Sequence, residues 1–208
     1  MRFWALLFLC GCGRTEPIEG FSAELTPTVT SDAGVTSACR RSCPGLPPGL
    51  LTPLTTGPRG VVLHWPHCEG CLRVTWRQGL ESYPIKLAST AWDISLAGGL
   101  CLEMIGDAVD GLPTDARQTI HFMRGEVDTI TQDLDPTTGA LKSVTVATPP
   151  PLDNARAAFL LGRALGLERS SNAKNSVMSY PNSDRDSPGT DDQTSLRALY
   201  GPPQAWCR

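Results

Sequence analysis

The stretch Phe159-Leu-Leu-Gly-Arg163-Ala-Leu-Gly166-Leu-Glu-Arg169, followed by Ser176-Val-Met178-Ser-Tyr180, decides how this chain is read. A helix enters it from Asp153 or Asn154, either of which can cap the start, because an unpaired N–H there takes a side-chain oxygen. The helix runs to about Leu165, and Gly166 is placed to take the left-handed conformation that ends it. Downstream, Asp191-Asp192 marks the N-terminus of a last helix reaching Tyr200, where carboxylates suit the helix dipole.

Upstream lies the pattern of a sheet. Val61–Trp65 and Cys71–Arg77 read as strands, the second alternating Leu72, Val74 and Trp76 against Arg73, Thr75 and Arg77. Pro84 to Leu96 reads as a helix, with proline near its start, Ile85, Ala88, Trp92 and Leu96 at helical spacing, and Gly98-Gly99 as its stop. Trp92 is expected in the core. Leu100–Met104 is a short strand candidate and Gln118–Met123 another. Leu134-Asp-Pro-Thr-Thr-Gly139 has the composition of a tight turn, with Gly139 free to take positive φ. It leads into the β-branched strand Leu141–Thr148, in which Leu141 is out of strict phase with Val144 and Val146, and Pro149-Pro-Pro151 ends the sheet. No internal repeat is visible.

The N-terminus sets the chemical environment. Met1 to Leu9 is one basic residue and a short apolar run, too short for a stable bilayer span. Leu9-Cys-Gly-Cys12 resembles a bacterial lipobox, which implies cleavage before Cys12 and lipid on its sulfur. Residues 1–11 are then a lipoprotein signal peptide, 12–38 a flexible tether rich in Thr, Pro, Ser and Glu, and 39–208 the folded domain. The expected location is the bacterial cell envelope, on the periplasmic face or cell surface, with the membrane reached through the lipid. A net charge of −3 with no basic block argues against nucleic acid as a partner.

Six further cysteines remain: Cys39, Cys43, Cys68, Cys71, Cys101 and Cys207. In an oxidising compartment an even set favours disulfides. Cys71 with Cys101 is the expected pair, since both flank the first strand–helix unit, and the other connectivity stays open. The rival is a structural zinc held by Cys39, Cys43, Cys68 and Cys71, with His64 and His67 nearby.

The stretch that opened this reading resembles the zinc-binding helix and Met-turn of a metzincin peptidase. The match is specific in Gly162-x-Ala164-Leu165-Gly166-Leu167, in Ser170-Ser171 and in Met178, and Leu196-Arg-Ala-Leu-Tyr200-Gly201 resembles a matrixin-like ending. The resemblance spans about Cys68 to Gly201 and implies an α+β, zincin-like domain. Its parts are a mixed sheet, an early helix with Ala91-Trp92, a degenerate active-site helix, the Met-turn and a C-terminal helix. The family motif asks for His at its first, fifth and eleventh places and Glu at its second. Here those places hold Phe159, Arg163, Arg169 and Leu160. Phe159 has no lone pair, Leu160 moves no proton, and two permanent cations repel a divalent ion. The resemblance therefore implies a pseudopeptidase with neither metal nor cofactor, acting as a binding or structural module, with Met178 packed beneath the helix.

Three alternatives stay open. A relocated metal site of a zinc-dependent endopeptidase has His121 and nearby carboxylates to draw on, the other histidines being His64 and His67. Asp184, Asp186, Asp191 and Asp192 suit Ca²⁺ by residue type, or are a solvated loop and helix start. Arg163 and Arg169 either pair with Glu168 or the Asp184–Asp192 run, or bind a carboxylate or acidic peptide at the former cleft. No Gly-x-Ser-x-Gly elbow or glycine-rich phosphate cradle is present, and disulfides leave no free thiol for Cys–His catalysis.

Overall fold

Alternating β-branched and aromatic residues make Leu72–Arg77 a strand, β1, inside a five-stranded sheet. The computed structural model describes residues 50, 52–57, 60–66, 71–77, 79–96, 100–108, 118–172 and 174–200. These belong to one unit, Thr36–Arg208. The other strands are β2 (Leu102–Ala108), β3 (Thr119–Arg124), β4 (Thr129–Leu134) and β5 (Leu141–Thr148), in spatial order β2-β1-β3-β5-β4. β2, β1, β3 and β5 run parallel, and β4 joins β5 antiparallel at one edge. The sheet is thus mixed, as the resemblance implies. The inner strands are covered on both faces: Leu72, Val74, Thr75 and Trp76 of β1 and Thr119 to Phe122 of β3 are all buried.

Among the described residues three helices accompany the sheet: α1 (Ser82–Ser95), α2 (Asn154–Ala164) and α3 (Thr190–Tyr200), with a one-turn 3-10 helix at Val177–Ser179. α1 packs on α2 and β2, and α2 also meets β5 and the 3-10 turn. Trp92 anchors the α1–α2 contact, fully buried and donating from Nε1 to the Ala158 carbonyl at 2.8 Å. Trp65 does the same at the other end of α2, donating to the Ala164 carbonyl at 2.9 Å. Burying either indole without such an acceptor would cost its N–H a lost partner.

Two expectations about the sheet change. Val61–Trp65 is not a strand, and only isolated bridges pair Val62 with Thr56 and His64 with Ala140. Its apolar side chains instead serve the core, where Leu63 and Trp65 are buried, while its backbone follows the Gly139 turn. β4 has no counterpart in the sequence reading, because only Ile130 and Leu134 are apolar in Thr-Ile-Thr-Gln-Asp-Leu. The phase slip at Leu141 has a cause: register shifts between Asp133 and Leu134 as the pair moves from Ser143 to Leu141. That bulge returns Leu141 to the core beside Val144 and Val146. The Gly139 turn forms as expected, with φ +74° and its N–H on the Asp135 carbonyl at 2.8 Å. A Cβ at Gly139 would overlap the Val62 carbonyl.

Cys71 and Cys101 form a disulfide with Cα atoms 4.6 Å apart, joining the entries to β1 and β2 as expected. Cys12, Cys39, Cys43, Cys68 and Cys207 lie outside the described residues, as do His67, the signal segment and the tether. No helix among the described residues is long and apolar enough to cross a membrane.

Candidate functional site

The helix bearing the degenerate motif is closed at both ends by its own sequence. Asp153 is the N-cap, and its carboxylate accepts the Arg156 N–H at 2.7 Å. At the other end Gly166 has φ +96°, the Gly166 N–H reaches the Arg163 carbonyl, and the Leu167 N–H reaches the Gly162 carbonyl. That pair of bonds is a Schellman motif, which consumes two carbonyls the helix leaves free. The chain leaves it in a fixed direction because Leu167 bridges to Leu54 and the Glu168 N–H bonds the Pro53 carbonyl at 2.7 Å.

Gly162 marks where α2 is closest to its neighbours. A Cβ there would overlap Met178 Sδ and stand 2.6 Å from the Trp92 ring. Met178 is fully buried under the helix. Its turn is held by Asp192, which is fully buried in the first turn of α3. Asp192 Oδ2 accepts the N–H groups of Val177 at 2.8 Å and Gly189 at 2.9 Å, and Oδ1 accepts the hydroxyls of Ser176 and Thr52. The acidic run is thus a solvated loop at Asp184 and Asp186 and a helix start at Asp191-Asp192, with the second carboxylate buried, and among the described residues no such group is arranged to hold a metal ion. Asp192 ties three segments together and Asp191 takes Asn172 Nδ2 at 2.7 Å, while Asp184 and Asp186 point to solvent. The reading from sequence missed this role; the helix-start signal was correct, and burial of the second carboxylate had no local signature.

On the opposite side of α2 is a cavity of about 240 Å³ lined by Asp128, Ile130, Phe159, Leu160, Arg163 and Arg169. The structure thus brings together four residues at the ligand and base places, with Met178 behind them against Gly162. The Phe159 ring is 5% exposed, stacks on Tyr180 at 5.6 Å between centroids, and carries the Arg169 guanidinium 4.9 Å from its own centroid. Arg169 Nη1 donates to the Tyr180 carbonyl at 3.0 Å. Arg163 forms an ion pair with Glu168, not with the Asp184–Asp192 run. Burial, and then the positive charge of Arg169, hold the Arg163 pKa below its ordinary value. It stays protonated at any physiological pH, since a guanidinium does not lose its proton there. Asp128 faces Arg156, which donates through Nε at 2.9 Å and Nη2 at 2.7 Å, and also accepts the Thr148 hydroxyl at 2.7 Å.

His121 stands elsewhere. Cross-strand register puts Ile130, which lines the cavity, in one row with Val146, Phe122 and Trp76. His121 falls in the alternate row with Thr75, Thr145 and Thr131, so its side chain leaves the other face of the sheet. There it shares a 2.8 Å hydrogen bond with Thr75 Oγ1, and burial followed by the Arg77 charge lowers its pKa. His64 Nδ1 sits 3.2 Å from the Val62 carbonyl. Among the described residues no group of three or more His, Cys, Asp or Glu side chains is arranged to hold a metal ion.

No family model matches the chain, and no curated protein matches it. Among solved structures the chain is similar to high choriolytic enzyme 1, a hatching enzyme zinc-protease from Oryzias latipes (medaka fish). The likeness has 10% identity and a TM-score of 0.40, covering 66% of this chain and 94% of that one. Nothing about the chemistry of this chain follows from a likeness of that extent.

Proposed function

We propose that this chain is a metzincin-like domain without peptidase activity, a pseudopeptidase that serves as a binding or structural module. The observation that carries the reading is the cavity beside α2. At the four places where the resemblance calls for three imidazoles and a carboxylate, it presents Phe159, Leu160, Arg163 and Arg169 on an intact helix, Schellman turn and Met178 support. Hydrolysis at such a place needs a polarising ion and a base for water. These side chains supply cations, an aromatic ring and an aliphatic floor instead. A protein or peptide ligand at the former cleft uses what remains. β4 is the last strand in the sheet order, so its outer edge offers backbone groups to an extended segment.

The same proposal places the domain at a bacterial cell envelope, lipid-anchored through Cys12 and crosslinked by disulfides; the lipobox-like Leu9-Cys-Gly-Cys12 and the disulfide Cys71–Cys101 support it. The test is elemental analysis of the oxidised protein, purified without a histidine tag, alongside cleavage of a general peptide substrate. The expected result is less than about a tenth of an equivalent of transition metal and no cleavage, because a structural or catalytic zinc site binds stoichiometrically. One equivalent of zinc with cleavage would overturn the proposal. Loss of that zinc on replacing His121 would then point to a rebuilt catalytic site, and its loss on replacing Cys68 to a cysteine-held one.

A further inference from the structure

Positive charge in the cavity exceeds what its own carboxylates neutralise. The lining holds two guanidinium groups, Arg163 and Arg169, and one carboxylate, Asp128; with their ion-pair partners Arg156 and Glu168 beside the cavity, three guanidinium groups stand against two carboxylates. Asp128 is occupied by Arg156 and the Thr148 hydroxyl. Glu168 serves Arg163 with one oxygen, which also accepts the Arg169 backbone N–H at 3.0 Å. The Arg169 guanidinium has the Tyr180 carbonyl and the Phe159 ring for partners, and no carboxylate among the described residues. Arg163 uses Nη1 for Glu168, and its remaining N–H donors have no partner among the described residues. Its side chain is 25% exposed, so these donors stand in a partly desolvated place where a hydrogen-bonded charge is worth more than in water. Two like charges share one small cavity, and the group that relieves both is an anion between them.

We propose that Arg163 and Arg169 together hold a carboxylate, supplied by an acidic side chain of a peptide lying in the cavity. The inference rests on the peptide-binding reading of the former cleft and adds the chemistry of what enters it. Guanidinium forks match the planar, two-oxygen geometry of a carboxylate. Of the rest of the lining, Ile130, Phe159 and Leu160 suit the methylene stem of such a side chain, and the Asp128 carboxylate is neutralised by Arg156. The volume, about 240 Å³, is below the roughly 300–1,000 Å³ of most small-molecule sites and fits one side chain. The place where a family enzyme would hold a cation has, on this inference, become a receptor for the opposite charge.

The test compares two pools of fluorescein-labelled dodecapeptides, random except for a fixed central Glu in one and Gln in the other, binding to the full chain. The Glu pool is expected to bind about tenfold to about a hundredfold more tightly, the range of a hydrogen bond to a charged group. Arg163→Gln and Arg169→Gln should each remove most of that preference with an unchanged near-ultraviolet circular dichroism spectrum. The Glu/Gln comparison in the unaltered chain stands even if a variant misfolds. Equal binding of both pools overturns the carboxylate inference and leaves the peptide cleft intact. Binding of neither pool overturns the peptide cleft, and glutarate titration read on arginine Nε–H NMR signals then decides the rest. Shifts at Arg163 and Arg169 with glutarate keep the carboxylate site, with a free dicarboxylate as its source. No shifts, or shifts with phosphate alone, overturn it.

Discussion

The side of α2 that meets α1 and the Met178 turn leaves no room even for a methyl group at Gly162, whereas the side that meets the cavity carries Phe159 and Arg163. One face is dense apolar packing in which Trp92, Ala158, Leu161 and Met178 are all buried. The other is held by a stacked arginine, an aromatic pair and one ion pair. The difference teaches that the fold around α2 is held by its own hydrogen bonds and packing. Caps, the Schellman turn and the Asp192 network satisfy the backbone by themselves, so the cavity side is free to carry other chemistry.

That contrast can be broken most forcefully at Asp192. Asp192→Ala leaves two buried N–H groups and two hydroxyls short of their acceptor, so a loss of about 3 to 5 kcal/mol is expected in urea or guanidinium unfolding. A loss below about 1 kcal/mol would remove Asp192 from the frame. Gly162→Ala comes next, with overpacking against Met178 and Trp92 costing about 1 to 3 kcal/mol despite the better helix propensity of alanine. Combining it with Met178→Ala should give a loss smaller than the sum of the two single losses, because the second change empties the space that the first overfills. Strict additivity would mean that the two residues do not share that space.

A third probe is pH, acting on the sheet face away from the cavity. The folded chain holds the His121 pKa below 6.5, its ordinary value. The stability this contributes is complete above that value and is lost as pH falls through it, when the unfolded chain takes up a proton that the folded one resists. His121→Gln should flatten unfolding free energy against pH across that window, and an unchanged slope would assign it to other groups. Arg169→Ala should have the smallest effect, below about 1 kcal/mol, since an exposed cation–π contact contributes little. A large loss there would place Arg169 in the frame rather than on the cavity side.

Legibility in the sequence followed the range of the interactions. α1, α2, β1, β3 and β5 were readable because periodicity, caps and glycines act within a few residues, as Asp153 and Gly166 illustrate. The same holds for the turn at Gly139. β4 was not readable, since an edge strand with one solvated side needs few apolar residues and Thr129–Leu134 supplies two. Val61–Trp65 misled for the converse reason, being apolar enough for a strand while its partners are isolated bridges. Within the site, the motif positions were legible as residue types, and the helix brings three of them to one side. What spacing could not supply was the contribution of Asp128 and Ile130, some thirty residues away along the chain, or the choice of Glu168 as partner for Arg163. The role of Asp192 depended on Thr52, 140 residues distant, and no local pattern signals a pairing of that kind.

The short strap formed by residues 52 to 55 carries a mechanical consequence. Traction on the chain from its N-terminal side meets the Thr52 hydroxyl bond to Asp192, then the antiparallel Leu54–Leu167 bridge, before it reaches any strand of the sheet. Those contacts lead into the base of α3 and the exit of α2, and the Pro53 carbonyl bond to the Glu168 N–H brings the load to the residue that pairs with Arg163.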